Sequence, residues 1–519
     1  MPGRDMLFTS YPFLFLFLPL LLLAWRMTAS GAPSLLHLVL LAFSAVFYAL
    51  WGPAFFLLLA ALAAVNHAFG LALARPEECP SRPGHIGRRA LLVLALCVNI
   101  APLIWFKYSG FLARILSQVS GWDFALTPPP LPVGISFYTF IQIAWLVSVY
   151  QRRVVPEGAL RHALFVSCFP YVMSGPIVRY EQMGPQFDAL GMATPRQLGM
   201  GAALFVMGMA KKVLLADSLA PYANAVFNAA DRAFPLSGME AWAGSFCYSF
   251  QLYFDFSGYT DMALGIGLML GLTLPENFNS PYRSTGIVEF WRRWHISLGA
   301  WLRDFLYIPM GGSRAGRLRQ YRNLFLTMLI GGAWHGAGWP FLLWGALHGL
   351  MLAVNHWFRA LVKDSAGEML MNSVPMRFLC AALTFFCING CWVIFRAPTL
   401  DAAWRMFRAM AGLPDAVGAV DGGPLNGAEG MARIMPNGYL PGWEPVALLL
   451  IAAFVVWCLP NCRQLLRDCR EEGAGASRMP LSFGFTGARG LLWAAFLAML
   501  AALSLLLLSR KAVFLYFQF

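Results

Sequence analysis

An all-α, polytopic membrane fold is what this sequence predicts, on three observations. Hydrophobic residues fill 59% of the 519 positions and charged residues only 12%, about half the ~25% of a soluble globular chain. The apolar residues fall in runs that approach or exceed the ~20 helical residues needed to cross ~30 Å of hydrocarbon. Those runs are far longer than the ~10-residue alternating strands of a membrane barrel, so helices are the spanning form.

Taken in order, spans are expected at 6–25, 35–51, 53–74, 90–106, 133–150, 161–177, 198–216, 241–272, 323–335, 339–358, 377–396, 444–460 and 489–509. This gives about eleven to thirteen helices, since several runs are short or interrupted. The first run follows Arg4 but is long for the ~7–15 residues of a signal-peptide core, and reads as a retained helix. Residues 75–89 carry Arg75, Arg82, Arg88 and Arg89 among prolines, and residues 463–488 are basic and polar. Both read as cytoplasmic. Residues 412–443, rich in Gly, Pro, Asn and Asp, read as a loop on the opposite side. The chain is expected to form one membrane domain, 1–519. Its N-terminal helices span 6–216, a central core spans 241–358, and C-terminal helices with an aromatic tail span 377–519.

The formal charge of +13 comes from basic residues in short loops between apolar runs. With no basic tail or stacking platform, nucleic-acid binding is not expected. The ten cysteines are scattered, mostly in or beside apolar runs, where a free thiol behaves as a small hydrophobe. Cys458, Cys462 and Cys469 lack zinc-ligand spacing, so neither a metal site nor a disulfide framework is expected. A large basic membrane protein of this kind fits an inner membrane.

The central third differs from the rest. From Gln251 to Arg322 the sequence mixes Gly, Trp, Arg and acidic residues at apparent membrane depth, where irregular backbone is tolerated only inside protein or along a cavity. Asp255 and Asp261 lie six apart in Q-L-Y-F-D-F-S-G-Y-T-D-M-A and face different ways on an ideal helix. A break at Ser257–Gly258 would bring them to one cavity; the alternative is that both pair with arginines of the next segment as structural ion pairs. In F-W-R-R-W-H-I-S-L-G-A-W-L-R-D, Trp294, Leu298 and Trp301 share one helical face. Trp291 and His295 form an i, i+4 pair beside it, as do Glu289 and Arg293. With Arg292 between the tryptophans, the stretch reads as an amphipathic or re-entrant helix. A surface anchor accounts for Trp and Arg but not for His295.

His335 lies in L-I-G-G-A-W-H-G-A-G-W-P, after Trp334 and between glycines that allow close backbone approach. An ionisable residue at bilayer depth is a functional candidate, and a neutral imidazole can take and return a proton near pH 7. The competing reading is a hydrogen-bonded core histidine in a glycine-rich helix pair. His348 and His356 could line the same channel but read as packing or interfacial residues. The last six residues, F-L-Y-F-Q-F, follow Arg510–Lys511 and read either as an interface anchor or as an aromatic end presenting the Tyr516 hydroxyl. No serine-nucleophile elbow, Walker A loop or dinucleotide fingerprint is present.

These blocks together resemble the membrane-bound O-acyltransferase (MBOAT) family, in particular its bacterial AlgI/DltB-like branch of alginate-acetylation, cellulose-acetylation and D-alanylation proteins. The likeness rests on F-T-S-Y-P-F-L-F-L-F-L-P (8–19), P-V-G-I-S-F-Y-T-F (132–140), S-G-P-I-V-R (174–179), the block 251–263 and E-N-F-N-S-P-Y (276–282). It continues through E-F-W-R-R-W-H-I-S-L (289–298), W-L-R-D (301–304), Y-R-N-L-F-L-T-M-L-I-G-G-A-W-H-G (321–336) and W-V-I-F-R-A (392–397).

The resemblance implies a ring of helices around a tunnel, His335 as the catalytic histidine and His295 assisting it. Asp255, Asp261, Asn279, Trp291, Arg292, Arg293, Trp294 and Trp334 would support the wall, with Tyr516 a candidate acyl relay. It implies acetyl-CoA as donor, no resident cofactor, and O-acetylation of an extracytoplasmic polysaccharide of the alginate or cellulose type. The partners it implies are an extracytoplasmic serine-dependent acetyltransferase and a polysaccharide synthesis or secretion complex, in contact with membrane lipid. Two rivals make no bonds: an acyl-carrier transporter and a secretion-complex scaffold.

Overall fold

The computed structural model describes residues 6–29, 33–75, 87–124, 126–314, 316–365, 369–371, 373–413, 438–462, 464–465, 487–508 and 515. The predicted polar loops at 75–89, 412–443 and 463–488 lie largely outside the described residues, as do Cys79, Cys469 and Tyr516. Every regular element among the described residues is helical. Among the described residues, six helices are long and apolar enough to cross a membrane: Pro53–Ala74, Arg88–Ser120, Pro195–Asp231, Trp339–Val362, Val374–Arg396 and Gly490–Leu507. Four shorter apolar helices, Phe13–Thr28, Ser34–Ala49, Ile135–Tyr150 and Glu444–Trp457, accompany them. The chain is thus a multi-pass helical membrane protein.

The chain divides into two compact units, Met1–Val206 with Tyr259–Glu276, and Met207–Gly258 with Asn277–Phe519. The first contains α1 (Leu18–Thr28), α2 (Pro33–Ala49), α3 (Pro53–Ala74), α4 (Arg88–Leu103), α5 (Ser109–Ser120) and α6 (Ile135–Tyr150). It continues with α7 (Ala159–Ser167), α8 (Phe169–Val172), α9 (Tyr180–Asp188) and most of α10 (Pro195–Ala210). Phe8, Phe13, Phe17, Phe47 and Phe169 form its aromatic centre. Asn66 hydrogen-bonds both Asn99 and the Gln142 carbonyl oxygen across α3, α4 and α6, all three side chains being fully buried, so polar groups inside an apolar bundle link its helices; Gln142 Nε2 has no partner among the described residues. The expected span at 161–177 is broken instead into α7 and α8. Cys168 is extended and Pro170 sits in the first turn of α8, where it supplies no N–H and the chain cannot continue as one helix.

The second unit contains α11 (Asp217–Asp231), the first part of α12 (Gly238–Met269), α13 (Ile287–Trp291), α14 (Ile296–Leu302), α15 (Arg317–His335) and α16 (Trp339–Val362). It closes with α17 (Val374–Arg396), α18 (Leu400–Met410), α19 (Glu444–Trp457) and α20 (Gly487–Leu507). Helices α15 and α16 pack backbone against backbone. A Cβ on Gly332 would lie 2.3 Å from the Phe341 carbonyl oxygen, and one on Gly345 would lie 2.4 Å from that of Met328. Small residues are what permit such an approach in a bilayer.

Two local expectations are corrected. Helix α12 runs unbroken through Ser257–Gly258. Gly258 serves close approach rather than a break, since its Cβ would lie 2.6 Å from the Gly208 carbonyl oxygen. The tryptophan-rich stretch is not one helix either: it is interrupted at His295, whose backbone is left-handed at φ 43° and ψ 54°.

Candidate active site

Of the ionisable residues singled out from the sequence, Asp255, Arg292, Arg293, His295 and His335 fall in the second unit and Asp261 in the first; Arg292 is exposed, and Tyr516 lies outside the described residues. His295 is fully buried at the first position before α14. No side chain of its own caps that helix. The cap comes from Asn277, about twenty positions earlier. Its backbone carbonyl accepts the Ile296 N–H at 3.0 Å, and its Oδ1 accepts the Ser297 N–H at 3.2 Å and the Ser297 hydroxyl at 2.6 Å. These are N–H groups that a helix start leaves without intrahelical partners. The same Oδ1 lies 3.4 Å from His295 Nδ1. The left-handed turn, costly for a non-glycine residue, is held in place by this cap.

His335 closes α15 and is 6% exposed. Its ring packs edge-to-face on Trp334 (4.9 Å between centroids), Trp344 (5.1 Å) and Phe395 (5.3 Å). Trp334 also lies 6.2 Å from the His295 ring, which meets Phe256 edge-on at 4.8 Å. One indole therefore touches both imidazoles, forty positions apart in sequence. The next residue, Gly336, cannot be larger, because its Cβ would lie 2.2 Å from the Phe341 ring.

Two members of this cluster were not among the site candidates. Asn277 is one: the motif E-N-F-N drew attention to Asn279, which instead accepts from Asn461 at 3.0 Å while its N–H bonds the Arg293 carbonyl. His348 is the other. It is fully buried, accepts the Trp291 indole N–H at Nδ1 (3.2 Å), and packs at a tilt on Trp344 with centroids 4.5 Å apart. With Nδ1 accepting, the neutral ring carries its proton on Nε2, which has no hydrogen-bond partner among the described residues. Trp344 thus lies between His335 and His348. The partner of His348, Trp291, sits 57 positions away.

Around this cluster, Trp294 packs on Trp392 at 4.9 Å and on Phe290 at 5.6 Å, forming wall rather than proton-transfer machinery. Arg293 pairs with Glu289 at 2.6 Å. Burial of the Glu289 carboxyl opposes its ionisation. The Thr285 N–H and hydroxyl, with the Arg293 charge, outweigh this and hold it below the usual carboxylate range.

Asp255 pairs not with an arginine but with Lys212, at 2.6 Å, and Lys212 also pairs with Asp217 at 2.6 Å. The second oxygen of Asp255 accepts the N–H of Leu515 at 2.9 Å, across 260 positions. Asp255 and Leu515 are both buried. This ion-paired carboxylate therefore holds the backbone one residue before Tyr516. Asp261 is only half-buried, six residues further along the unbroken α12. Among the described residues, no group of three or more His, Cys, Asp and Glu side chains is arranged to hold a metal ion.

Comparison with known proteins returns one family. Residues 142–395 match the model described as MBOAT, membrane-bound O-acyltransferase family, a stretch that holds His295, His335, His348 and Asn277. The protein of Pseudomonas putida named probable alginate O-acetylase AlgI is 38% identical over 526 residues, covering 99% of this chain and 100% of the relative. The protein of that name from Azotobacter vinelandii is 43% identical over 420 residues, 79% of each chain. A peptidoglycan O-acetyltransferase of Helicobacter pylori is 37% identical over 437 residues, 79% of this chain and 80% of the relative.

Proposed function

Because the chain belongs to the membrane-bound O-acyltransferase family, we propose that it moves an acetyl group from cytoplasmic acetyl-CoA toward the hydroxyls of an extracytoplasmic polysaccharide, with alginate the first acceptor to test. The chain is a multi-pass membrane O-acyltransferase. The polysaccharide reading draws on the names of its relatives, two of which specify alginate and one peptidoglycan. We place the enzyme in the inner membrane, handing the acetyl group to a serine-dependent acetyltransferase within a polysaccharide synthesis or secretion complex.

In this mechanism neutral His335 withdraws the proton from an attacking hydroxyl as its oxygen bonds to the thioester carbonyl carbon. The C–S bond then breaks, the imidazolium returns the proton to sulfur, and coenzyme A leaves as the thiol with the acetyl group held as an ester. The observation that carries the assignment is the position of His335, enclosed by Trp334, Trp344 and Phe395 with Trp334 reaching His295. The enclosing rings keep competing water from the base. His295, fixed by Asn277, is the positioning partner. Tyr516 is the candidate attacking hydroxyl, since Asp255 anchors the residue before it.

General-base catalysis contributes ~10²–10⁴-fold. Replacing His335 with glutamine in the purified chain is therefore expected to slow thiol release from acetyl-CoA by that factor, with normal yield and elution. Wild-type thiol release would remove His335 from the mechanism. The same assay on Tyr516→Phe tests the relay: loss of transfer to polymer supports it, and unchanged polymer acetylation discards it.

A further inference from the structure

Helices α16 and α17 line an open cavity of about 980 Å³, at the upper end of the ~300–1,000 Å³ of small-molecule sites. Its chemistry is graded along its length. Two membrane helices joined by a short connection run antiparallel, so Lys363 and Met376 share one end of the cavity while Leu350 and Cys387 share the other. The thirteen residues from Leu350 to Lys363 rise ~20 Å, more than the ~15 Å depth of one leaflet's hydrocarbon. The deep part is apolar, with Val354 and Leu383 facing it.

The shallow end is cationic. Arg359 and Lys363 line it, both are exposed, and neither has an acidic ion-pair partner among the described residues. Arg292 and Arg359 both lie within electrostatic reach of His356, which adds a third cation to this side of α16. Beside them Asn355 and Arg359 fold over the backbone of Gly286, 3.3 and 3.5 Å from where its Cβ would be. The Asn355 carboxamide oxygen is a buried acceptor with no hydrogen-bond partner among the described residues. Buried acceptors are normally satisfied, so this one calls for a donor from outside the chain.

We propose that this cavity binds an anionic phospholipid with a hydroxylated headgroup. Its phosphate sits against Arg359 and Lys363, a headgroup hydroxyl donates to Asn355, and one acyl chain runs past Val354 and Leu383 toward Leu350 and Cys387. A zwitterionic lipid leaves a positive group among three cations. A soluble phosphate leaves ~20 Å of apolar wall unfilled. None of His295, His335 and His348 lines the cavity, and its readout is lipid retention rather than turnover.

The test uses the full chain in detergent, with phosphatidylglycerol or phosphatidylcholine of matched chains titrated and bound lipid counted by native mass spectrometry. The unaltered chain is expected to retain phosphatidylglycerol in preference. Lys or Arg near a membrane surface is worth about fivefold in binding, so Arg359→Ala with Lys363→Ala weakens retention ~30-fold. Leu383→Trp, which fills the chain-binding part and leaves the charges in place, also weakens it. Equal retention of both lipids, undiminished retention in the double variant, or displacement by millimolar inorganic phosphate or coenzyme A each overturns the proposal. If the variants do not fold, photoreactive phosphatidylglycerol on the unaltered chain decides. Labelling of 350–363 and 376–387 supports the site, and labelling only elsewhere refutes it.

Discussion

Replacing Asp255 with alanine is expected to destabilise the protein by about 3–5 kcal/mol and to release the chain's last residues. Breaking a buried ion pair so that one partner stays behind costs ~3–5 kcal/mol. Lys212, 4% exposed, retains Asp217 at 2.6 Å, so roughly half of that penalty, ~2 kcal/mol, remains. The buried Leu515 N–H also loses its acceptor, which adds ~1–3 kcal/mol. Asp217→Ala is the matched control: it removes the other partner of Lys212 but leaves the Asp255–Leu515 bond. It should cost ~2 kcal/mol and leave the tail in place. Unfolding of the purified chain by sodium dodecyl sulfate titration in mixed micelles measures the first effect, and trimming by a carboxypeptidase measures the second. Equal stability and equal trimming rates in the two variants would refute the anchoring argument. Loss of stability without faster trimming would separate the ion pair from the tail.

Three further outcomes follow from the same geometry. Asn277→Ala leaves the Ser297 N–H and hydroxyl without their acceptor and should cost ~1–3 kcal/mol; turnover should fall while KM for acetyl-CoA changes little, and wild-type turnover would detach Asn277 from His295. Gly345→Val drives a side chain into the Met328 carbonyl, 2.4 Å from the Cβ position, and is expected to abolish the folded species in fluorescence-detected size exclusion. A monodisperse variant would contradict the close packing of α15 on α16. The Glu289 carboxyl is held below its unfolded range, so its contribution is present above the unfolded value of ~4.3 and is lost as pH falls through the lower folded value. Being partly exposed, it is worth at most ~1 kcal/mol. Glu289→Gln should flatten the stability profile below pH ~4 and leave it within ~1 kcal/mol at neutrality, and an unchanged acid profile would discard the pairing.

The helical membrane fold was legible in the sequence because it depends on local quantities. Twenty apolar residues cross a bilayer whatever they pack against, and a backbone in hydrocarbon must satisfy its own hydrogen bonds. His335 drew attention for a related reason: a histidine between glycines in an apolar run is conspicuous without any partner in view.

What sequence periodicity misjudged was decided over long distances. Trp294, Leu298 and Trp301 fit one helical face, yet the helix breaks at His295 because Asn277, from another segment, caps α14. Gly258 looked like a break and proved to be a point of close approach, since only packing against Gly208 shows why a side chain is excluded there. His348 carried no local signal because its partner Trp291 is 57 positions away. The anchoring of Leu515 by Asp255 spans 260 positions, and no window along the chain contains both. Residue type and run length set which side chains enter the membrane. The tertiary structure alone decided which of them meet, because hydrogen bonds and ring contacts act over a few ångströms of space regardless of separation along the chain.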